Sequence, residues 1–174
     1  MKQFSYKKFY LRKPTLVDAE TILAITNDKD VMEFYGESGA WLKNSDEAMS
    51  EINWGLSLFE ENAGRWVIAS ESNDKYVGDI GFFSFDPANK KAEIGFKLDK
   101  AYWGQGITSQ FTAQLLEYAF EELGYNRIEA LVDPRNVGSS KVLLKNGFIK
   151  EGTLRDYEFE HGAFVDLDMY SILQ

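Results

Sequence analysis

The chain has 174 residues, of which 44% are hydrophobic and 27% charged, with a net charge of -9 and no cysteine. This composition predicts one globular domain, residues 1–174, with a substantial core. The lack of cysteine excludes disulfides and thiolate nucleophiles, and the single histidine argues against a metal site. The acidic balance disfavours nucleic acid as a partner, because nucleic-acid binding depends on Lys and Arg.

Neither a membrane span nor a secretion signal is indicated. No stretch approaches the roughly 20 consecutive apolar residues of a membrane helix, and Met1–Ser5 lacks the apolar segment of a signal peptide. We therefore expect a cytoplasmic protein without a membrane partner.

Apolar periodicity and turn residues predict the order β-α-α-β-β-β-α-β-α-β-β. The strands are predicted at 9–12, 65–69, 76–85, 91–98, 127–132, 149–160 and 163–172. The helices are predicted at 16–26, at 45–61, after the loop 102–109 as far as Gly124, and at 137–145. The fold class is α/β of the mixed α+β type: a mixed, mostly antiparallel twisted sheet of about seven strands with about four flanking helices.

Two interpretations of the segment 31–42 stay open. It has no clear period and contains Phe34, Tyr35 and Trp41. It is either a loop whose aromatic side chains lie against the core, or a lid on the side of an acceptor substrate.

The stretch from Ala92 to Phe120 is typical of a phosphate-binding arrangement. A strand leads through a loop with Gly104 and Gly106 into a helix on which Phe111, Leu115, Ala119 and Leu123 are spaced four apart. The first amides of a helix have no internal partner and carry the positive end of its dipole, and glycine lets a backbone approach an anion closely.

The chain resembles the GNAT (GCN5-related) N-acetyltransferases, and within them the ribosomal-protein N-terminal and spermidine acetyltransferases. The resemblance covers nearly the whole chain. It is carried by Leu11-Arg12, Ala92-Glu93-Ile94-Gly95-Phe96, Tyr102-Trp103-Gly104-Gln105-Gly106-Ile107-Thr108, Asn136 with Ser139, Asn146-Gly147-Phe148, and Gly162 to Tyr170 with Asp166.

This resemblance implies an acetyl-CoA-dependent enzyme that needs no metal. The pyrophosphate is expected at the loop and the pantetheine arm along the preceding strand, one of whose amides faces the acetyl oxygen. The implied cofactor-binding residues are Ile94, Phe96, Lys97, Leu98, Trp103, Gly104, Gln105, Gly106, Ile107, Thr108, Ser109, Asn136 and Ser139.

Three residues are implied for proton chemistry. An alkyl amine is protonated at neutral pH and must lose a proton before it attacks. By resemblance Glu158 is the first choice for the base and Glu93 the second; for either, the alternative is an exposed carboxylate at a strand edge. Ser139 is the candidate acid for the leaving thiolate, and its alternative is a first-turn helix serine.

Two departures from the family pattern keep a second function open. Thr108 stands where Gly or Ala is usual, and Leu143 stands where many members have a tyrosine that protonates the thiolate. The leading hypothesis is direct acetyl transfer to a primary amine: a protein N-terminus, a polyamine or another small amine. The alternatives are a CoA-binding sensor without turnover or an interaction domain, and exposed aromatic residues allow a homodimer.

Overall fold

The computed structural model of the chain describes residues 4–35, 42–61, 63–160 and 162–174. The strands are β1 (Ser5–Tyr6), β2 (Phe9–Arg12), β3 (Gly64–Ser70), β4 (Tyr76–Asp86), β5 (Lys91–Leu98), β6 (Arg127–Val132), β7 (Ile149–Glu160) and β8 (Ala163–Leu173). The α-helices are α1 (Ala19–Thr26), α2 (Lys29–Met32), α3 (Ser45–Ser57), α4 (Ile107–Glu121) and α5 (Val137–Lys145). Short 3-10 turns cover Leu16–Asp18, Leu58–Glu60 and Lys100–Tyr102.

The strands form a mixed sheet in the order β1-β2-β3-β4-β5-β6-β8-β7. Among the described strands, neighbours run antiparallel except β5 and β6, which run parallel. The predicted mixed and mostly antiparallel fold is therefore confirmed.

The parallel pair β5 and β6 separates soon after it begins. Only Lys91 to Glu93 pair with Arg127 to Glu129. Beyond these residues β5 stays with β4 up to Leu98, whereas β6 stays with β8 up to Val132. The sheet consequently opens into a wedge between the second halves of β5 and β6.

Helices cover the two faces of the sheet around separate apolar clusters. On one face α4 contributes Phe111, Leu115 and Ala119, all buried, to a core that also holds Leu143 of α5. On the other face α1 and α3 pack on Val67 and Ala69 of β3. The four-residue spacing in α4 thus identified its buried face correctly.

Three predicted boundaries differ from the structure. β1 was not predicted, because a two-residue strand is too short to show a period. α2 was not predicted either. It starts at Lys29, shortly after the end of the helix predicted over 16–26, and its N-cap is Asp28, whose carboxylate accepts from the Asp30 N–H. The helix expected over 45–61 is α3 followed by a 3-10 turn.

Glycines inside a strand indicate a bulge or a tight backbone approach, and β4 contains Gly78 and Gly81. Both are sites of tight approach: a Cβ on Gly81 would lie 1.9 Å from the Gly64 carbonyl oxygen, and one on Gly78 would lie 2.4 Å from the Lys97 carbonyl oxygen. Gly78 also borders a register shift, since Ile68 pairs with Gly78 and Ala69 with Tyr76. A second irregularity lies between Phe83 and Asp86.

Some sequence predictions concern residues outside the described part of the chain. They are residues 36–41, including Trp41, of the 31–42 segment, and His161 of the predicted hairpin turn. Among the helices of the described residues, none is long and apolar enough to cross a membrane.

Candidate active site

The wedge leaves one edge of β5 without a strand partner. The Asp99 backbone N–H donates to the Val77 carbonyl on the β4 side, at 2.8 Å. Because successive strand residues turn their backbone groups to opposite edges, Ile94, Phe96 and Leu98 direct theirs into the wedge. These are the three residues that the resemblance implied as backbone contacts of the pantetheine arm.

A cavity of about 330 Å³ occupies the wedge. It is lined by six residues that the sequence singled out: Glu93, Ile94, Phe96, Asn136, Ser139 and Glu158. The fold therefore brings both candidate bases and the candidate acid around one space, from β5, α5 and β7. The glycine loop is not part of this lining and follows β5 through the 3-10 turn.

The two candidate bases are electrostatic neighbours. Burial raises the pKa of Glu93 above its ordinary value, and the charges of Glu129 and Glu158 raise it further. Glu158 follows an irregularity in β7 between Leu154 and Glu158, which includes Asp156 at φ 49°. Such irregularities re-aim side chains, and here Glu158 lines the cavity.

On the α5 side, the Asn136 side-chain oxygen accepts from the Ser139 N–H at 3.0 Å, so Asn136 is the N-cap of this helix. Its amide nitrogen is the end that can meet a ligand. Ser139 is half-buried, and Leu143 lies one turn further along α5, fully buried but at the cavity. The cavity therefore has an apolar wall at the position where many relatives carry a tyrosine.

The glycine loop has the backbone shape of an anion site. Gly104 and Gly106 have φ of 71° and 77°, which glycine adopts without strain. A Cβ at Gly104 would meet nothing within 4 Å, and one at Gly106 would meet only the Tyr6 hydroxyl, at 3.7 Å. Gly106 is the N-cap of the 15-residue α4 and has no side chain to satisfy its first amides. These observations fit a phosphate group at the loop.

The other predicted loop residues contribute in different ways. Trp103 donates its indole N–H to the Leu98 carbonyl at 2.7 Å. Thr108 is largely buried, so its amide rather than its hydroxyl is the group available to a ligand. The Ser109 hydroxyl accepts from the Asn146 side chain at 3.2 Å, which ties the start of α4 to the end of α5.

Lys97 points away from the wedge into a buried ion cluster. Its Nζ lies 2.5 Å from Glu51 Oε1 and 3.4 Å from Asp79 Oδ2. Asp79 also pairs with Arg65 at 2.5 Å and accepts from the Tyr76 hydroxyl. The backbone groups of Lys97 face β4, so the structure brings neither its side chain nor its backbone to the wedge.

The cavity also contains residues that the sequence did not indicate: Arg65, Phe83 and Asp133. Phe34 and Tyr35, from the segment with two open interpretations, line it as well. One signal for the ion cluster was available: Asp79 and Lys97 are opposite charges inside apolar strands, and they are direct cross-strand partners. No sequence signal indicated which strand Tyr35 contacts, because the two are distant in sequence.

The comparisons with known proteins agree with this geometry. The acetyltransferase (GNAT) domain profile matches residues 8–149. The uncharacterized N-acetyltransferase p20 of Bacillus licheniformis is 36% identical over 97% of this chain and 94% of its own. The ribosomal-protein-serine acetyltransferase of Escherichia coli (strain K12) is 41% identical over 56% of this chain and 55% of its own. The chain therefore belongs to the GNAT acetyltransferase family and is an acetyltransferase.

A solved structure shows the same fold with ligands. The microcin C7 self-immunity acetyltransferase MccE, in complex with acetyl-CoA and AMP, superposes with a TM-score of 0.85 at 25% identity. The match covers 97% of this chain and 94% of MccE. Among the described residues, no group of three or more His, Cys, Asp or Glu side chains is placed to hold a metal ion.

Proposed function

We propose that this acetyltransferase moves the acetyl group of acetyl-CoA directly onto a primary amine in the β5–β6 wedge, as one catalytic domain. The proposal rests on the free edge of β5, a strand that runs into the glycine loop at the start of α4. A free strand edge can pair with an extended, amide-bearing arm, and a helix start with positive-φ glycines can hold phosphates.

The cofactor supplies an acetyl group activated as a thioester, and the chain supplies position and proton transfer. The backbone N–H groups of Phe96 and Leu98 are the donors for the arm and for the developing oxyanion, while the N–H of Ile94 pairs with β6 and its carbonyl faces the wedge. Losing one oxyanion donor typically costs on the order of 3 kcal/mol in the transition state. The amides after Gly106 are the donors for the pyrophosphate.

The roles of three side chains follow from the protons that must move during the reaction. Glu158, with Glu93 as the second choice, accepts the proton of the ammonium form. The free amine forms the new C–N bond as the C–S bond breaks. Ser139 donates its hydroxyl proton to the departing sulfur and is reprotonated by the proton that the attacking nitrogen loses, so that the products are the amide and the CoA thiol. Family membership makes the chain an enzyme, so the sensor and interaction-domain alternatives are not carried further.

The acceptor is proposed to be cationic: a protein N-terminus, a polyamine or another small amine. Two observations support this class. Glu93 and Glu158 face the cavity, whereas the Arg65 charge there is paired with Asp79. The relative from Escherichia coli is named for a ribosomal protein. A cytoplasmic location stays a prediction.

The test is acceptor-dependent release of CoA thiol, measured across N-terminal peptides, polyamines and amino sugars. Saturable release with at least one amine, and none with its N-methylated quaternary analogue, is expected. Incubation with labelled acetyl-CoA alone should leave the protein unlabelled. A stable acetyl-protein able to pass its label to an amine would contradict direct transfer.

The homodimer is proposed from the outer hairpin of the sheet. Phe159 and Phe164 meet edge to face at 5.1 Å and are 57% and 63% exposed. Sedimentation equilibrium should show a dimer for the wild type and a monomer for Phe159→Ser. A monomeric wild type at micromolar concentration would contradict the proposal.

A further inference from the structure

Tyr35 reaches the free edge of β5 from the segment that follows α2. Its hydroxyl donates to the Phe96 carbonyl oxygen at 2.5 Å, across 61 residues of sequence. The Phe96 carbonyl is one of the backbone groups that point into the wedge. Along that edge it lies between the N–H of Phe96 and the N–H of Leu98.

The direction of this hydrogen bond is fixed by its acceptor. The Phe96 carbonyl oxygen has no proton to give, so the Tyr35 hydroxyl donates to it. Burial raises the pKa of Tyr35, and the positive charge of Arg65, which lines the same cavity, opposes this rise. Arg65 is itself held by Asp79, through its Nε at 2.7 Å and its Nη2 at 2.5 Å.

The surroundings of the Tyr35–Phe96 hydrogen bond are sheltered from water. The side chains of Arg65 and Asp79 are 12% and 7% exposed, and Tyr35 is half-buried. A hydrogen bond is electrostatically stronger in such surroundings than in water. Tyr35 therefore offers a well-oriented donor to a single backbone oxygen.

This contact matters for the charge that develops during acetyl transfer. A carbonyl oxygen beside an oxyanion repels it, whereas the neighbouring N–H groups attract it. Two carbonyl groups on this edge already accept hydrogen bonds from side chains. The Phe96 carbonyl accepts from the Tyr35 hydroxyl, and the Leu98 carbonyl accepts from the Trp103 indole N–H at 2.7 Å. Occupied carbonyls leave the N–H groups as the dominant dipoles facing the wedge.

We propose that Tyr35 is a positioning residue for acetyl transfer, which holds the Phe96 carbonyl and so aligns the donor N–H groups of β5 for the oxyanion. This role rests on the proposed function of the wedge. It also gives the segment 31–42 a part in the chemistry, since Tyr35 connects that segment to the strand that would hold the acetyl group.

The test is Tyr35→Phe, which removes only the hydroxyl. Its matched control is Tyr10→Phe, because the Tyr10 hydroxyl also makes a strong hydrogen bond, to Asp74 at 2.6 Å, in an exposed position. Steady-state kinetics would be combined with calorimetric titration of CoA, which carries no acetyl group. We expect kcat of Tyr35→Phe to fall roughly 10-fold while the Kd for CoA stays within twofold, and Tyr10→Phe to match the wild type.

Three results would overturn the inference. They are an unchanged kcat in Tyr35→Phe, a loss of CoA affinity in step with kcat, and a gain in CoA affinity, which would make the hydroxyl a competitor of the arm. If Tyr35→Phe does not fold, Trp103→Phe tests the same role of an occupied carbonyl, since it removes the N–H that the Leu98 carbonyl accepts; the same split between kcat and Kd is expected. Absence of CoA binding by the wild type would instead defeat the proposed function itself.

Discussion

At the scale of single residues, the two carboxylates of the wedge are distinguishable by their surroundings. Glu93 carries a pKa raised by burial and by the charges of Glu129 and Glu158. It therefore keeps its proton to a higher pH than an ordinary glutamate. Removing the charge of Glu158 should lower the pKa of Glu93. The pH dependence of a Glu158 variant can therefore show which of the two carboxylates acts as the base.

We predict that Glu158→Gln lowers kcat about 100-fold, the lower end of the range for loss of a general base, with the Kd for CoA unchanged. Glu93→Gln, the matched isosteric change, should have the smaller effect. The measurement is kcat/KM against pH for both variants. If Glu158→Gln keeps wild-type turnover and its acid limb moves to lower pH, Glu93 is the base.

Gly106 allows a similarly controlled test of the loop. Gly106→Glu places a carboxylate and a strained positive-φ residue at the start of α4, so CoA binding should be lost. Gly124→Glu is the control: Gly124 also has a positive φ, of 70°, but lies beyond the far end of α4. Both variants should lose about 1 kcal/mol of stability, and only Gly106→Glu should fail to bind CoA in calorimetry. Normal CoA affinity in Gly106→Glu would remove the loop from the site.

At the scale of elements, β4 and β5 are joined by a buried charge pair beneath the wedge. Burial opposes the charged form of Asp79, but Arg65 and Lys97 outweigh it and hold the pKa of Asp79 below its ordinary value. Such a pair adds little compared with apolar packing, yet removing one member leaves buried charge uncompensated.

We predict that Asp79→Asn costs about 3 to 5 kcal/mol in free energy of unfolding at pH 7. Folding lowers the pKa of Asp79. The stabilisation that its carboxylate provides is therefore complete when the pH is above the pKa in the unfolded chain, about 4, and is lost as the pH falls through the pKa in the folded protein. The gap between wild type and variant in urea unfolding should therefore narrow below about pH 4. Asp46→Asn, an exposed change in the first turn of α3, should cost no more than about 1 kcal/mol at any pH. A gap that stays constant down to pH 2 would contradict this account.

At the scale of the whole molecule, the sequence predicted those elements whose structure depends on residues close together in the chain. The spacing in α4, the turn residues between strands and the glycines before the helix predicted most elements and the glycine loop before α4; its phosphate-binding role stays a prediction. The wedge could not be predicted this way, since it depends on where β6 leaves β5, which is a matter of register between distant strands. Backbone donors carry no sequence signature, and Tyr35 meets Phe96 only through the fold.

Ligand binding should be visible in the stability of the entire fold. CoA at 100 times its Kd should stabilise the protein by about 2.7 kcal/mol. For a chain of this length, that corresponds to a rise in Tm of roughly 5 to 10 °C. Thermal unfolding with and without CoA checks this, with Gly106→Glu as the variant expected to show no shift. A wild type whose Tm does not respond to CoA would contradict the cofactor assignment.

Because β5 and β6 separate early, the bound arm of acetyl-CoA would take the place of a neighbouring strand along β5. The amides of Phe96 and Leu98 face open space, whereas those of Gly95 and Lys97 face β4. Hydrogen exchange should therefore divide one strand into two alternating sets. CoA should slow exchange at the first set and leave the second unchanged, so residue-level exchange rates would trace the path of the bound arm along the strand.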